Sequence, residues 1–266
     1  NIKFVILDRY MSLTIDSGFG RPLAKYGKRE ITVVTNQAEM QDNDLVGKCE
    51  YHLDPTQTVK FQQIPDKTHE RDILYITGAS GSGKSYYTVG YLKEYKKMYP
   101  GRSIYVLSAL TEDETLDKIP GLKRIKINDR LVDDPIDPEL FRDSVVVADD
   151  VDVIGDKKQR EAVLVIINAI LETGRHWNTS LIMTNHLATN GRDTRRILNE
   201  AHSITFFPHS GSVHGIKYLL ERYVGMSKED FKKAKKSKSR WTTYFKHYPA
   251  VIMTEFDIWM PGCEDD

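Results

Sequence analysis

The chain has 266 residues, 38 of them basic and 38 acidic, so its zero net charge gives no overall reason to expect a polyanionic partner. Its 40% apolar and 29% charged residues are those of an ordinary soluble globular protein with a substantial core. No run of about 18 apolar residues occurs, which excludes a membrane-spanning helix.

The opening Asn1-Ile2-Lys3-Phe4 does not read as a secretory signal, having no long apolar run before a small-residue cleavage site. Residues 4–7, 31–34 and 59–64 are short apolar stretches separated by Gly, Pro, Asn and Asp, which predicts strands and turns. Residues 1–70 are therefore expected to form a small β-rich extension to a domain spanning 71–266. From Ile73 the rhythm changes. Strands are predicted over 73–77, 103–107, 145–149, 180–184 and 203–207, with helices over 85–98, 160–172 and 193–201. Strands alternating with helices imply crossover connections and an α/β fold with a mainly parallel central sheet covered on both faces. Val145-Val146-Val147 and Leu181-Ile182-Met183 fit that placement, because they do not alternate with polar residues. Residues 228–240 hold seven basic side chains, and strands are predicted over 241–247 and 251–256, joined near Tyr248-Pro249. The tail 263–266 is acidic. Cys49 and Cys263 are far apart without metal-ligand spacing, which reads as two free thiols in a reducing, intracellular compartment.

Gly78-Ala79-Ser80-Gly81-Ser82-Gly83-Lys84-Ser85 matches G-x-x-x-x-G-K-[ST] at every fixed position, between an apolar strand and a helix. Its glycines permit a loop whose backbone N–H groups converge on an anion at the positive end of the following helix. The pattern predicts ATP–Mg²⁺ binding, with Lys84 on the β- and γ-phosphates and the Ser85 hydroxyl on the metal. Hydrolysis needs a carboxylate for the metal and a group that activates water. The strand ending in Asp149-Asp150 supplies both, with Asp149 assigned to Mg²⁺ and Asp150 to the water. Asn185, at the end of the next core strand, is the candidate γ-phosphate sensor, and its neighbour His186 is read as a solvent-facing loop residue. An arginine that meets developing charge on the phosphoryl group is sought among Arg175, Arg192, Arg195, Arg196 and Arg240. Arg175 is preferred because it lies just before a core strand.

With these pieces placed, the chain resembles the poxvirus-type genome-packaging ATPases within the FtsK–HerA superfamily. The likeness rests on 78–85, 145–150, Gly174-Arg175-His176-Trp177-Asn178, 182–186 and Ser239-Arg240-Trp241, in that order. It implies a motor that pulls double-stranded DNA into a capsid at a host cytoplasmic assembly site or in the virion. It also implies a homo-oligomeric ring with sites between subunits, and capsid or portal-site proteins as partners. Two positions depart from the wider superfamily: Asp150 stands where many members carry Glu, and Asn185 where many cellular relatives use Gln. The basic stretch 228–240 suits a phosphate-gripping surface independently, although a solvated helix face has the same composition. A small-molecule kinase, a nucleotide-gated switch, and a helicase or secretion motor share the P-loop and stay open as alternatives.

Overall fold

A computed structural model describes residues 11–36 and 47–263. The predicted strand over 4–7 and residues 264–266 of the acidic tail lie outside the described residues. In chain order the strands begin with β1 (Ser12–Ile15), β2 (Arg21–Tyr26), β3 (Arg29–Val34), β4 (Glu50–His52) and β5 (Gln62–Gln63). Next come β6 (Ile73–Thr77), α1 (Lys84–Met98), β7 (Ser103–Ser108), β8 (Leu122–Lys126), α2 (Asp129–Asp133), β9 (Ser144–Ala148), α3 (Lys157–Thr173) and β10 (Ser180–Asn185). The remainder is α4 (Gly191–Glu200), β11 (Ser203–Phe206), α5 (Val213–Leu219), α6 (Lys228–Lys236), β12 (Thr242–Phe245), β13 (Val251–Thr254) and β14 (Asp257–Trp259).

The large sheet runs β4-β14-β13-β12-β11-β6-β10-β9-β7-β8. Its six strands from β11 to β8 pair in parallel, whereas β12, β13, β14 and β4 add antiparallel at one side. The central strands β6, β9 and β10 are buried at every residue, as helix-covered faces require. One face packs Val163, Ile167 and Ile170 of α3 and Ile197 of α4 against Tyr75, Val146 and Met183. The other packs Tyr87, Tyr91 and Tyr95 of α1 against Leu74, Val147 and Ile182.

The small antiparallel sheet β1-β3-β2-β5 lies over α1, and its Leu13, Leu23, Ile31 and Val33 share one core with the α1 tyrosines. The approach is close: a Cβ on Gly90 of α1 would stand 2.3 Å from the Gln62 amide oxygen on β5. Phe61 belongs to that core, but of the predicted strand 59–64 only Gln62–Gln63 pairs.

The cysteines correct the sequence expectation. Cys49, just before β4, and Cys263, just after β14, form a disulfide with Cα atoms 5.5 Å apart. Antiparallel pairing of β4 with β14, extended by the Met260 N–H to Cys49 O bond of 3.0 Å, brings together two residues 214 positions apart. Linear spacing carries no trace of such a pairing. Among the described residues no helix is long and apolar enough to cross a membrane.

Candidate active site

β6 ends at Thr77, and the chain turns through 78–83 into α1. Gly81 and Gly83 hold φ of 73° and 111°, backbone that side-chain-bearing residues rarely adopt. Gly78 is fixed by space instead, since a Cβ there would stand 2.6 Å from the Phe207 ring and 2.6 Å from Ser82 Oγ. The first turn of α1 carries no acidic side chain, so its N–H groups and partial positive charge face the loop unopposed. Ser82 Oγ is buried without a hydrogen-bond partner among the described residues. Buried hydroxyls are nearly always satisfied, so an orphan beside open amides marks a place for an anion. Lys84 is buried; its Nζ donates to Gly78 O at 3.0 Å and stands 3.3 Å from Asp150 Oδ1.

The carboxylates reach the loop from beyond β9, which β10 separates from β6, and from the loop after β7. Asp149 follows β9 and continues its ladder through an N–H to Leu107 O bond of 2.9 Å. It is buried, and Ser108 Oγ and Thr184 Oγ1 each donate to it at 3.1 Å. Burial, seconded by the adjacent Asp150 charge, raises its pKa, and the two hydroxyls pull the other way. Asp150 takes φ 46°, left-handed backbone that Asp tolerates better than most residues. Its N–H donates to Thr184 Oγ1 at 2.8 Å, and its Oδ2 meets His186 Nε2 at 2.9 Å. The Thr184 hydroxyl lies 3.1 Å from both Asp149 Oδ1 and Asp150 Oδ1, so its single proton is shared between the two carboxylates. Asp113, in the loop after β7, brings Oδ2 to 3.5 Å from Ser85 Oγ and adds a third acid. Lys84, Ser85, Asp149 and Asp150 therefore converge at the C-terminal ends of the parallel strands β6 and β9, which flank β10, with Thr184, His186 and Asp113 around them.

Thr184, Asp113 and the inward-facing His186 were not singled out from sequence in these positions. The signal for Thr184 was a hydroxyl directly after the apolar run Leu181-Ile182-Met183, one residue beyond the Met183–Ala148 register pair. Asn185 points elsewhere. Its Nδ2 donates to Tyr75 OH at 3.2 Å, on the opposite face of the sheet from Thr184, and its Oδ1 is buried without a partner among the described residues. Its backbone carbonyl accepts the Gly78 N–H at 3.1 Å, which ties β10 to the start of the loop.

The arginines separate by position. Arg175 sits in the turn before β10, exposed, with Nε 2.8 Å from Glu70 Oε2. Because β10 runs parallel to β6, that turn lies at the end of the sheet opposite the loop, roughly 20 Å away along the strand. Arg196 pairs with Glu172, while Arg192 and Arg195 are exposed and line a cavity with Arg222, Tyr218 and Tyr223. Arg240 alone of the candidates lies at the loop: a Cβ on Gly83 would stand 3.0 Å from its guanidinium. Ser239 and Trp241 on either side are buried, Trp241 edge-on to Tyr87 at 4.9 Å. The Arg240 N–H donates to Glu255 Oε2 at 2.8 Å. The exposed guanidinium is thus held out over the phosphate loop by its anchored neighbours.

In the basic stretch, α6 is capped by Ser227, whose side chain accepts the Asp230 N–H. Lys233 pairs with Glu50 and lies over the Trp259 ring, whereas Lys228, Lys232, Lys235 and Lys236 are exposed.

No family model matches the chain. Protein V3 of Sputnik virophage, itself uncharacterized, is 43% identical over 199 residues, covering 74% of this chain and 79% of that protein. The genome packaging NTPase B204 from Sulfolobus turreted icosahedral virus 2, solved with sulfate, is similar over 74% of this chain and 100% of its own, with a TM-score of 0.50 and 16% identity. Its complex with AMP gives a TM-score of 0.51 at 16% identity, over 70% of this chain and 98% of that one. The cytoplasmic domain of the Thermomonospora curvata Type VII secretion ATPase EccC gives 0.51 at 14% identity, over 82% of this chain and 29% of that one. At these identities the structural likeness establishes a P-loop NTPase fold.

Proposed function

We propose that the chain, which belongs to one family with protein V3 of Sputnik virophage, is an FtsK–HerA-type P-loop ATPase that hydrolyses ATP to draw double-stranded DNA into a viral capsid. The observation that carries this reading is the meeting of Lys84, Ser85, Asp149 and Asp150 at one sheet end, beside a loop with an orphaned hydroxyl and open amides.

These groups suit a nucleoside triphosphate. The amides of 79–81 and 83–85 and Ser82 Oγ are donors for the β- and γ-phosphates, and Lys84 exchanges Asp150 for phosphate oxygens as ATP enters. The oxygen donors Ser85 and Asp149 suit a hard cation and would hold Mg²⁺, which when bound neutralises charge on the phosphate oxygens. Asp150, released by Lys84 but still held by His186 and Thr184, orients the attacking water and accepts its proton. Asn185 is the candidate sensor, through the loop that its carbonyl already grips. Arg240 meets phosphate charge from within the chain. Arg175 can serve only the nucleotide of a neighbouring subunit, which makes a homo-oligomeric ring the working form. The described residues of the extension 1–70 act in this reading as a brace on α1 of the ATPase domain 71–266, through Leu13, Leu23, Ile31 and Val33 in the core they share with it.

The exposed α6 lysines supply sequence-independent grip on DNA phosphates, and capsid or portal-site proteins are the partners that loading a capsid requires. The test is steady-state ATP hydrolysis with and without double-stranded DNA, at low and high salt, with Lys84→Ala as the inactive control. Strong stimulation that fades with salt is expected. Hydrolysis by the assembled ring that ignores DNA would refute the motor, and ATP binding without any hydrolysis would refute the enzyme.

A further inference from the structure

At the end of the sheet away from the nucleotide loop, three histidines meet. His69 lies in the segment that leads into β6, His202 immediately precedes β11, and His247 follows β12. The His69 and His247 rings stack with centroids 4.7 Å apart, and His202 lies 4.5 Å from His247 and 5.8 Å from His69. Asp66 joins them, with Oδ2 2.8 Å from His69 Nδ1. One ligand-capable atom from each of Asp66, His69 and His247 falls within 4.8 Å of the other two.

We propose that Asp66, His69 and His247 bind a zinc-class divalent cation, which staples the segment before β6 to the turn between β12 and β13. Two imidazoles and a carboxylate are the donor set that borderline metals prefer, whereas Mg²⁺ and Ca²⁺ take all-oxygen shells. Ligand atoms around a tetrahedral zinc lie about 3.3 Å apart. The set must therefore contract somewhat, and the exposed His69 ring is free to swing inward. His202 borders the site, and its buried Nδ1, without a hydrogen-bond partner among the described residues, is 3.7 Å from Asp72 Oδ1.

Asp66 and Asp72 supply negative charge beside the rings, and the Arg21 guanidinium donates to His247 O at 3.0 Å and Pro249 O at 2.8 Å. Arg71 and Arg175, with Glu70, line the cavity that His69 and His202 border. Burial, followed by the neighbouring His202, His69 and Arg21, lowers the His247 pKa to about 4. Its ring is therefore neutral at physiological pH, the form that binds metal. An outer layer is already built. Asp72 Oδ2 accepts the Asp66 N–H at 3.0 Å and the Tyr91 hydroxyl at 2.6 Å, and Asp66 Oδ1 accepts the Thr68 N–H at 2.9 Å.

The experiment is calorimetric titration of chelator-treated full chain with ZnCl₂. It is run without Mg²⁺ or nucleotide, and in non-reducing buffer so that Cys49 and Cys263 stay paired. One equivalent per chain is expected to bind, with a rise in melting temperature. His247→Ala should weaken binding by about 100-fold or more, and His69→Ala, at an exposed position that leaves folding unaffected, should do the same. ATP binding at the far end of the sheet reports that each variant is folded. No saturable zinc binding by the wild type would overturn the proposal, as would unchanged affinity in folded His69→Ala.

Discussion

Asp150→Asn keeps the size of the side chain and the tolerance of left-handed backbone at φ 46°, and removes only the charge. Two consequences follow from the distances. Lys84 Nζ is 3.3 Å from Asp150 Oδ1, a gross attraction of about 5 kcal/mol at an effective dielectric of 20. Asp150 is partly exposed and also held by His186, so the net contribution is nearer ~1 kcal/mol. ATP must displace this contact, and the variant should therefore bind ATP no more weakly than the wild type, and up to about fivefold more tightly. The water loses its base, which costs about 10²–10⁴ in turnover, or roughly 3–5 kcal/mol of barrier. Titration with a fluorescent ATP analogue and a steady-state phosphate-release assay read the two effects separately. Turnover at the wild-type rate would refute the role of Asp150. Binding more than tenfold weaker would show instead that the carboxylate organises the loop rather than competing for Lys84.

Gly78→Ala should lower stability by about 1–3 kcal/mol, because its methyl group meets the Phe207 ring and Ser82 Oγ at 2.6 Å; thermal melting checks this, and nucleotide affinity should fall with it. Cys49→Ser or Cys263→Ser should cost about 2–4 kcal/mol of stability by freeing a large loop, and a reductant should reproduce the loss in the wild type but not in either variant. The pH response of His247 has a definite sign. Its pKa is about 4 in the folded chain against 6.5 unfolded, so the unfolded state takes up the proton first. Its contribution to stability is fully present above pH 6.5 and is lost as pH falls towards 4. Urea midpoints measured across that window should fall less steeply in metal-free His247→Gln than in metal-free wild type.

Much of the nucleotide-binding half was legible because its signals are local. The strand over 73–77 matches β6 residue for residue, and the predicted helix over 85–98 starts one residue early, at Lys84. The unbroken apolar runs placed β9 and β10, with ends displaced by one residue. What escaped depends on register or on distant parts of the chain. β1 and β4 are short and, like β2, are defined by partners, β4 by β14 at the far end of the chain. Thr184 meets the two carboxylates only because β10 pairs with β9 in one register, and His186 turns inward because Asp150 receives it. The separation of Arg175 from the loop was available in principle. A residue that precedes a parallel strand lies at the opposite end from one that follows its neighbour. Nothing local distinguishes Arg240, which reaches Gly83 through the burial of Ser239 and Trp241 on an antiparallel addition to the sheet.

The pairing of β4 with β14 also bears on how the chain is made. His52 and Asp257 are register partners, so β4 leaves the ribosome 205 residues ahead of its neighbour. At about 10 residues per second that is a wait of roughly 20 s, during which β4 has no edge to join. Cys49 stays reactive over the same interval. Closure of the sheet border and oxidation of the Cys49–Cys263 pair are therefore late, coupled events in biogenesis, completed only after β14 has been translated.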